Sequence, residues 1–381
     1  MTDNAKPKDF PQVSCESNSA KQYAVFFLVL YTFLMGFVFL SYLYTLDISG
    51  SNKAPADDVI ILHKSSVVKY KDSSFDEGKL LVKISFHQPG KPAAVLEHYK
   101  SMRTGETLKK RCKKCALVSS SGQMLGSKLG KEIDSMPCVI RMNASPTEGY
   151  EEDVGARTTV RVVCYMTSEP LVADSEKLLI QERNKSLEKV LLFGLNTPNH
   201  KWALNKIESL LVQYPETQFY SLDEVGEMES DLIFEKETGK PKYNTNTWLS
   251  TGWFTMLAAL DMCEELHVYG MVHENYCDEN PDSTVKYHYF QTWDVPTECG
   301  YYNSHENTVY VGGHRFITEK AIFARWARMF NIHFHNPGWK PSELKNKESL
   351  DTPFVIRQEV PKTVFMSVLE SVLRWSVGNF L

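Results

Sequence analysis

A serine-rich turn near the middle of the chain has the residue types of a phosphate or nucleotide site. Residues 119–122 read Ser-Ser-Ser-Gly and follow an apolar run at 115–118. A run of hydroxyls and a glycine after a strand is how many α/β proteins offer backbone N–H groups to a phosphate. Ser120, Ser121 and Asn143, which ends the next apolar run, are therefore the first candidate binding residues.

A second stretch places hydroxyls and a glycine before a long apolar segment. Ser250, Thr251 and Gly252 precede residues 253–266, which predict a helix buried on nearly all faces. The free N–H groups and the positive dipole end of a helix N-terminus suit a phosphate. For an isolated Ser-Thr-Gly, however, ordinary N-capping is the simpler explanation.

Two histidines are candidates for acid–base chemistry. His288 lies beside Tyr289 in an aromatic run, and His314 precedes Glu319 with four residues between them. Activating a hydroxyl as a nucleophile needs a base near neutral pH, and histidine titrates there. Spacing alone fits a surface His–Glu pair equally well.

Apolar runs and amphipathic segments alternate over about 300 residues and predict the fold class. Strands are expected from 79, at 115–118, 139–142, 158–163, 189–193 and 268–272, and helices at 92–102, 202–213 and 253–266. Such alternation predicts an α/β fold with an open, mostly parallel, Rossmann-like sheet flanked by helices.

The N-terminal part predicts one transmembrane helix. Residues 23–46 carry no charge, which matches the roughly 20 apolar residues that cross a bilayer. The run is too long for a cleavable signal peptide, and too apolar on every face for a core helix. A slight lysine excess before the span predicts a cytosolic tail at 1–22, a signal anchor at 23–46, a stem at 47–78 and a lumenal catalytic domain at 79–381.

Charge and cysteine usage narrow the function class. The net charge of −5, with no long basic stripe, argues against nucleic-acid binding. Seven of the eight cysteines follow the predicted span, which fits an oxidising compartment. Cys112-x-x-Cys115 lacks a second such pair, so a zinc site there is disfavoured. Asn184 begins a usable glycosylation sequon.

Four motifs resemble, in the same order, those of the animal-type sialyltransferases, family 29 of the glycosyltransferases. The large motif spans 115–159, the small motif spans 249–272, and two later motifs contain His288 and His314. The resemblance covers about residues 79–339. It is nearest to the short-stem GalNAc α2,6-sialyltransferases that act on sialylated Gal-GalNAc, and it implies a GT-A-like variant of the Rossmann-like fold. The matching large-motif residues are Cys115, Ser121-Gly122, Ile133-Asp134, Arg141-Met142-Asn143 and Asp153-Val154-Gly155-Ala156-Arg157-Thr158-Thr159.

The resemblance implies a role for each candidate residue. His314 would deprotonate the 6-hydroxyl of an acceptor GalNAc, which then attacks the anomeric carbon of CMP-sialic acid with inversion. The departing phosphate would be bound by Ser250, Thr251, Gly252 and His288. Cytidine and ribose would be held by Ser120, Ser121 and Asn143, with Glu319 and Tyr289 in supporting positions.

It also implies a disulfide between Cys115 and Cys263, which would tie the large motif to the small one. Cys277 and Cys299 flank the third motif and form a second candidate pair. Cys112 with Cys138 is a third candidate, and this pairing would leave Cys164 free.

No metal or other cofactor is expected. No two Asp residues lie two positions apart, so the Asp-x-Asp motif of many metal-dependent transferases is missing from the sequence. A nucleoside monophosphate donor also needs less charge neutralisation. The expected partners are CMP-sialic acid and a sialylated Gal-GalNAc glycolipid or glycoprotein, at the Golgi membrane. A homodimer, the acceptor preference and the Golgi subcompartment stay open.

Two other functions remain open at this point. One is a sialyltransferase of another linkage, such as α2,8, and the other is a membrane-anchored glycan-binding protein without turnover. Two departures from the family pattern also bear on the site. Asn143 formally begins a sequon, Asn-Ala-Ser, and Cys164 stands where some sialyltransferases carry another donor-binding asparagine.

Overall fold

The computed structural model of the chain describes residues 94–181, 185–242, 245–291, 296–309, 312–341 and 350–357. All of them fall within one compact unit, Val82–Glu359. The predicted anchor, stem and first strand, and Asn184, lie outside the described residues. Within the described ranges, no helix has the length and apolar character needed to cross a membrane.

The central sheet has eight strands, all parallel except the first. The strands are β1 Tyr99–Ser101, β2 Cys112–Val118, β3 Cys138–Met142, β4 Val160–Cys164, β5 Lys189–Phe193, β6 Gln218–Leu222, β7 Cys263–Tyr269 and β8 Ile332–His335. In spatial order they run β1-β6-β5-β4-β3-β2-β7-β8, and β1 pairs antiparallel with β6. The predicted α/β class with a mostly parallel sheet is thus confirmed.

Helices connect these strands, as parallel pairing requires. Two-stranded pairs lie outside the main sheet, and one of them joins Thr247–Trp248 to Gly313–His314 in parallel. The helices are α1 Gly130–Ser135, α2 Glu151–Val154, α3 Ser168–Ala173, α4 Ser175–Leu179, α5 Lys201–Gln213, α6 Glu224–Thr238, α7 Thr251–Met262, α8 Tyr276–Glu279, α9 Glu298–Glu306, α10 Phe316–Trp326 and α11 Pro353–Ile356.

Helix α7 is the centre of the main apolar core. Trp253 is fully buried and contacts the rings of Phe234, Phe323 and Trp326. Phe254 stacks on Phe193 of β5 with ring centroids 4.0 Å apart. An all-round apolar helix belongs in such a position, because it has no polar face to leave in water.

The helix predicted over 253–266 is too long. Helix α7 ends at Met262, and β7 begins at Cys263 rather than at 268. In β7 the buried residues Leu266 and Val268 alternate with the polar residues Glu265 and His267, which is the period of a strand. The helix before it is apolar on nearly all faces, so the change from a helical to a strand period is hard to see in the sequence.

The helix predicted over 92–102 is wrong. A single 3₁₀ turn, Val95–His98, leads directly into the edge strand β1. Strand pairing overrides the local helix propensity here. Strand β1 pairs with β6, with Tyr99 opposite Leu222 and Ser101 opposite Tyr220.

The direction of the strand order reverses between β2 and β7. Strands β2 to β6 run outward to one side of the sheet in chain order, whereas β7 and β8 lie on the other side of β2. In an open α/β sheet, ligands bind at such a switch point, outside the carboxyl ends of the strands. The serine turn that follows Val118 lies at this edge.

Candidate active site

The serine turn is fixed against the third motif. The Tyr289 N–H donates to the Ser120 carbonyl over 2.8 Å, and the Gly122 N–H donates to the Lys286 carbonyl over 3.0 Å. A Cβ on Gly122 would lie only 2.6 Å from the Lys286 oxygen, so a glycine is required there. Ser121 is almost fully buried, and its hydroxyl accepts from the Gln123 N–H at 3.0 Å. The Ser121 hydroxyl therefore shapes the turn, while Ser120 is only half-buried.

Asn143 links the large motif to the small one. Its Nδ2 donates to Thr251 Oγ1 at 3.2 Å, and its Oδ1 accepts from the Cys164 N–H and the Thr167 hydroxyl. Its backbone has φ of 47°, a left-handed conformation that asparagine tolerates better than most residues. The nitrogen that a sequon glycan would modify is therefore already in contact with helix α7.

Arg161 stabilises the left-handed backbone conformation at Asn143. Its guanidinium is 2 % exposed and donates to the carbonyls of Asn143 at 2.7 Å and Ser145 at 3.1 Å. Tyr289 closes the same loop from the other side, because its hydroxyl donates to the Pro146 carbonyl. The contacts place Tyr289 against this loop, and its supporting role stays a prediction.

The N-terminus of α7 is capped by Ser250, which is the simpler explanation for an isolated Ser-Thr-Gly. Its hydroxyl oxygen accepts from the Trp253 N–H at 3.1 Å. The Ser250 N–H donates to Glu319 Oε1 at 2.9 Å, and its hydroxyl donates to Glu319 Oε2. The Ser250 side chain is thus used within the protein, and the first N–H groups of α7, at Thr251 and Gly252, are those that a helix leaves without an internal partner.

Glu319 is a buried carboxyl that holds this cap. It is 2 % exposed, and burial raises the pKa of its carboxyl, against the lowering effect of the two bonds from Ser250. The neighbouring Lys320 ammonium lies 3.7 Å from the centre of the Tyr302 ring, and burial lowers the pKa of that lysine. Glu319 thus holds Ser250 in place, and its part in any reaction stays a prediction.

His314 is held in one tautomer. Its Nδ1 lies 2.9 Å from the Trp248 carbonyl oxygen, which can only accept, so Nδ1 carries the proton and Nε2 carries the lone pair. Burial lowers the pKa of His314 to about 4, with smaller lowering effects from His305 and Arg315. The ring is therefore neutral at neutral pH and able to accept a proton at Nε2.

His288 is also neutral. Burial lowers the pKa of His288 to about 4, and its ring stacks on Phe290 with centroids 5.1 Å apart. A bound phosphate would raise this pKa, because an adjacent negative charge favours the imidazolium. An aromatic cluster connects the two histidines, from His288 through Tyr287 and Phe316 to His314, with successive centroids 4.2, 5.9 and 5.1 Å apart.

Trp248 lies beside His314 but was not among the site residues predicted from the sequence. Its side chain is 50 % exposed, and its ring centroid lies 6.0 Å from that of His314 in an edge-to-face arrangement. A Cβ on Gly312 would lie 2.2 Å from the indole, so the ring covers the chain just before His314. The neighbouring Arg315, fully buried, donates to Thr247 Oγ1 at 3.1 Å and thereby joins the two short strands. Only the pairing of segments about 65 residues apart brings these side chains to His314.

The cysteines form the three pairs that the sequence analysis proposed. The disulfides are Cys115–Cys263, Cys112–Cys138 and Cys277–Cys299, and Cys164 is a free thiol. Cys115–Cys263 joins β2 to β7, and so joins the strands that carry the large and small motifs. Two clusters among the described residues have the spacing of metal ligands. One consists of Cys112, Cys115 and Cys138, and the other of Glu265, His267 and His333. Neither cluster includes one of the candidate binding or catalytic residues described above.

Comparison with known proteins identifies the family. The family model described as glycosyltransferase family 29 (sialyltransferase) matches residues 70–325. The alpha-N-acetylgalactosaminide alpha-2,6-sialyltransferase 3 of Mus musculus is 41 % identical over 245 residues, which cover 63 % of this chain and 78 % of that protein.

A human relative is slightly more similar in sequence. The alpha-N-acetyl-neuraminyl-2,3-beta-galactosyl-1,3-N-acetyl-galactosaminide alpha-2,6-sialyltransferase of Homo sapiens is 44 % identical over 247 residues, covering 64 % of this chain and 80 % of that protein. A crystal structure of a mammalian sialyltransferase matches with a TM-score of 0.37 and 19 % identity, over 58 % of this chain and 68 % of that one. The assignment rests on the sequence matches: the chain belongs to glycosyltransferase family 29, the sialyltransferases.

Proposed function

We propose that the chain transfers sialic acid from CMP-sialic acid to the 6-hydroxyl of GalNAc in sialylated Gal-GalNAc glycans. Membership of the family supports sialyl transfer and the donor. The two relatives described above are named as alpha-2,6-sialyltransferases of GalNAc-type acceptors, and this supports the linkage and the acceptor. The acceptor glycan would belong to a ganglioside or to an O-linked glycoprotein.

The observation that carries the mechanism is the short separation along the chain between Trp248, which contacts His314, and Ser250, which caps α7. The Trp248 carbonyl fixes the tautomer of His314, and Ser250, two residues later, caps α7. Two extended residues span at most about 7 Å, so the carbonyl that orients the candidate base lies within about 7 Å, along the chain, of the candidate phosphate site. Displacement with inversion needs the base and the phosphate site near each other, because the nucleophile and the leaving phosphate flank one carbon.

In the proposed step, Nε2 of His314 accepts the proton of the GalNAc 6-hydroxyl. The oxygen attacks the anomeric carbon of sialic acid, the bond from that carbon to the phosphate oxygen breaks, and CMP leaves with the electron pair. The N–H groups of Thr251 and Gly252 and the Thr251 hydroxyl would receive the phosphate charge at the positive end of α7. His288 would donate to the same phosphate once the negative charge raises its pKa.

Ser250 acts in this proposal by capping α7 with its hydroxyl oxygen rather than by binding the phosphate with that hydroxyl. That hydroxyl donates to Glu319, so it orients the helix N-terminus toward the phosphate. Asn143 and Ser120 would contact the cytidine and ribose, and Asn143 also fixes Thr251. Ser121, almost fully buried, would serve this site by shaping the turn. No step in this mechanism uses a metal, since the leaving group is a monophosphate.

Trp248 is proposed to hold the acceptor. Its indole is half exposed beside the imidazole of His314, where the acceptor sugar must lie during proton transfer. A sugar ring has one face of C–H groups that can pack on an aromatic plane, as other apolar groups do. The 6-hydroxyl would then point across the indole edge toward Nε2.

The cellular arrangement is proposed from the sequence and the disulfides. Residues 1–22 would be cytosolic, 23–46 would anchor the chain in the Golgi membrane, 47–78 would form a stem, and 79–381 would lie in the lumen. The three disulfides fit an oxidising lumen. Protease treatment of sealed Golgi vesicles tests this: the C-terminal part should be protected, and Asn184→Gln should remove one glycosidase-sensitive mass shift.

The linkage of the product tests the function. The full-length chain is incubated with CMP-sialic acid and a panel of sialyl-Gal-GalNAc, Gal-GalNAc and terminal sialic acid acceptors, and the product linkage is determined by methylation analysis. We expect substitution at the 6-position of GalNAc. Substitution at the 8-position of sialic acid would instead establish an α2,8 enzyme, and turnover of none of the acceptors would favour a glycan-binding protein.

A further inference from the structure

A group of histidines lies on one face of the sheet, at the β7–β8 end. Glu265 and His267 project from the same face of β7, because side chains two positions apart in a strand share a face. His333 of β8 is the register partner of His267, and His335 is the register partner of Tyr269. The apolar residues between them face the opposite side, in the main core.

These side chains are in contact with one another. Glu265 Oε1 lies 2.8 Å from His267 Nε2, and His267 Nδ1 lies 2.9 Å from His335 Nε2. The rings of His267 and His333 stack with centroids 4.9 Å apart. One ligand atom each from Glu265, His267 and His333 lies within 4.8 Å of the other two.

We propose that Glu265, His267 and His333 bind one divalent transition-metal ion of the zinc class. Zinc takes His nitrogen at about 2.0–2.1 Å and carboxylate oxygen at about 2.0–2.2 Å, so neighbouring ligand atoms of a tetrahedral site lie about 3.4 Å apart. The three ligand atoms, now within 4.8 Å of one another, would close to that spacing around the ion. The ion binds Nε2 of His267 in place of its proton, which is released to solvent, together with a carboxylate oxygen of Glu265 and a ring nitrogen of His333, and water completes the coordination.

The surroundings support metal ligation by His267. Its Nδ1 is engaged by His335, which can fix the ring so that Nε2 faces Glu265, and metal-binding histidines usually have such a partner on the other nitrogen. His333 is exposed, so an ion and its water can reach the cluster. Histidine and carboxylate together suit zinc and its neighbours better than magnesium or calcium.

Lys114 is the competing cation. Its ammonium lies 2.9 Å from the same Glu265 oxygen that faces His267. The second carboxylate oxygen of Glu265 remains for the metal, or the lysine moves aside on its flexible stem. The other group with metal-ligand spacing, Cys112, Cys115 and Cys138, is consumed by disulfides and offers no thiolate.

Calorimetric titration of the full-length chain tests the site. The protein is purified in detergent, treated with chelator, dialysed and titrated with zinc chloride. We expect one ion per chain, with affinity weakened about tenfold or more in His333→Gln and in Glu265→Gln. His273→Gln is the matched control, because His273 pairs with Glu279 at 3.4 Å outside this cluster, and it should bind as the wild type does.

A second readout identifies the ligands. Cobalt in place of zinc should give a visible absorption band in the wild type and in His273→Gln, and a much weaker one in His333→Gln. His333 is exposed, so its substitution leaves the fold intact, which circular dichroism verifies. Lack of stoichiometric zinc binding by the wild type overturns the proposal. So does zinc affinity that survives in His333→Gln, or that disappears only when free thiols such as Cys164 are alkylated.

Discussion

The amino ends and the carboxyl ends of the central strands differ in how they are held together and in the residues they carry. At the amino ends of β3 and β7, and within β2, four buried cysteines form two disulfides that join three adjacent strands. At the carboxyl ends lie polar residues of the candidate site, held by hydrogen bonds from distant segments. Covalent bonds thus hold one end of the sheet, while the other end carries the polar groups that are proposed to bind and react. We expect changes at the first end to alter stability and changes at the second to alter kinetics.

The largest effect is expected from the disulfide between β2 and β7. Cys115–Cys263 closes 148 residues of chain, whereas Cys112–Cys138 closes 26. In the chain-entropy treatment, the longer loop contributes about 5 kcal/mol and exceeds the shorter by about 1.5 kcal/mol. Cys115→Ala with Cys263→Ala should therefore lower the unfolding free energy more than Cys112→Ala with Cys138→Ala.

Denaturant unfolding compares the two double variants. Well below their unfolding midpoints, both should keep the donor and acceptor KM of the wild type. An unchanged midpoint in the first variant, or KM values that rise in parallel with the loss of stability, would remove the distinction between the two ends of the sheet.

The next effect concerns Asn143. Asn143→Ala removes the amide that joins Thr251, Cys164 and Thr167, and places alanine at φ of 47°. We expect donor KM to rise about tenfold and stability to fall by about 1–2 kcal/mol from the left-handed backbone. Asn143→Gly is the matched control, since it loses the same amide without that strain. It should show the KM effect with a smaller stability loss, and equal stability losses would refute the backbone argument.

A smaller and more selective effect is expected at Trp248. Trp248→Ala should raise acceptor KM about tenfold, because an exposed aromatic contact contributes about 1.4 kcal/mol, and it should leave donor KM unchanged. Trp248→Phe keeps an aromatic face and should recover part of the loss. The Trp248 carbonyl that orients His314 survives in both variants. An equal rise of donor and acceptor KM would show that the indole acts on the whole site.

A separate effect is a gradual slope of stability with pH. Burial lowers the pKa of His288 and His314 to about 4, whereas an unfolded chain protonates them near about 6.5. The unfolded state therefore binds more protons between these values, and the unfolding free energy should fall as pH falls, by about 1–2 kcal/mol per histidine between about pH 7 and about pH 5. Urea unfolding at about pH 7 and about pH 5 measures it. His288→Gln with His314→Gln should flatten the slope, and an unchanged slope would contradict the burial of these rings.

Much of the sheet could be predicted from sequence, because fully buried parallel strands appear as short apolar runs. The run at 189–193 coincides with β5, and the run at 139–142 with all but one residue of β3. Boundaries failed where two periods meet without a break, as at Met262 and Cys263. The edge strand β1 was missed because its partner, β6, lies about 120 residues away.

The site was predictable to the extent that its residues lie in short motifs. The motifs contain Asn143, Ser250, His314 and Glu319, but the sequence does not show how they are held. Glu319 accepts hydrogen bonds from both the N–H and the hydroxyl of Ser250, and this arrangement depends on the packing of α10 against α7. The orientation of His314 depends on a two-residue strand pair, which has no periodicity to detect. Trp248 looks like a core aromatic in the sequence, and only its 50 % exposure distinguishes it.

The kinetics of His314→Ala test the central claim most directly. The wild type, His314→Ala and His273→Ala are compared by kcat/KM for transfer from CMP-sialic acid to sialyl-Gal-GalNAc, with thermal unfolding measured in parallel. Loss of a general base should lower kcat/KM by about 10²–10⁴-fold in His314→Ala, with near-normal donor binding and unfolding temperature, and His273→Ala should match the wild type. Turnover by His314→Ala within a few-fold of the wild type would contradict the account.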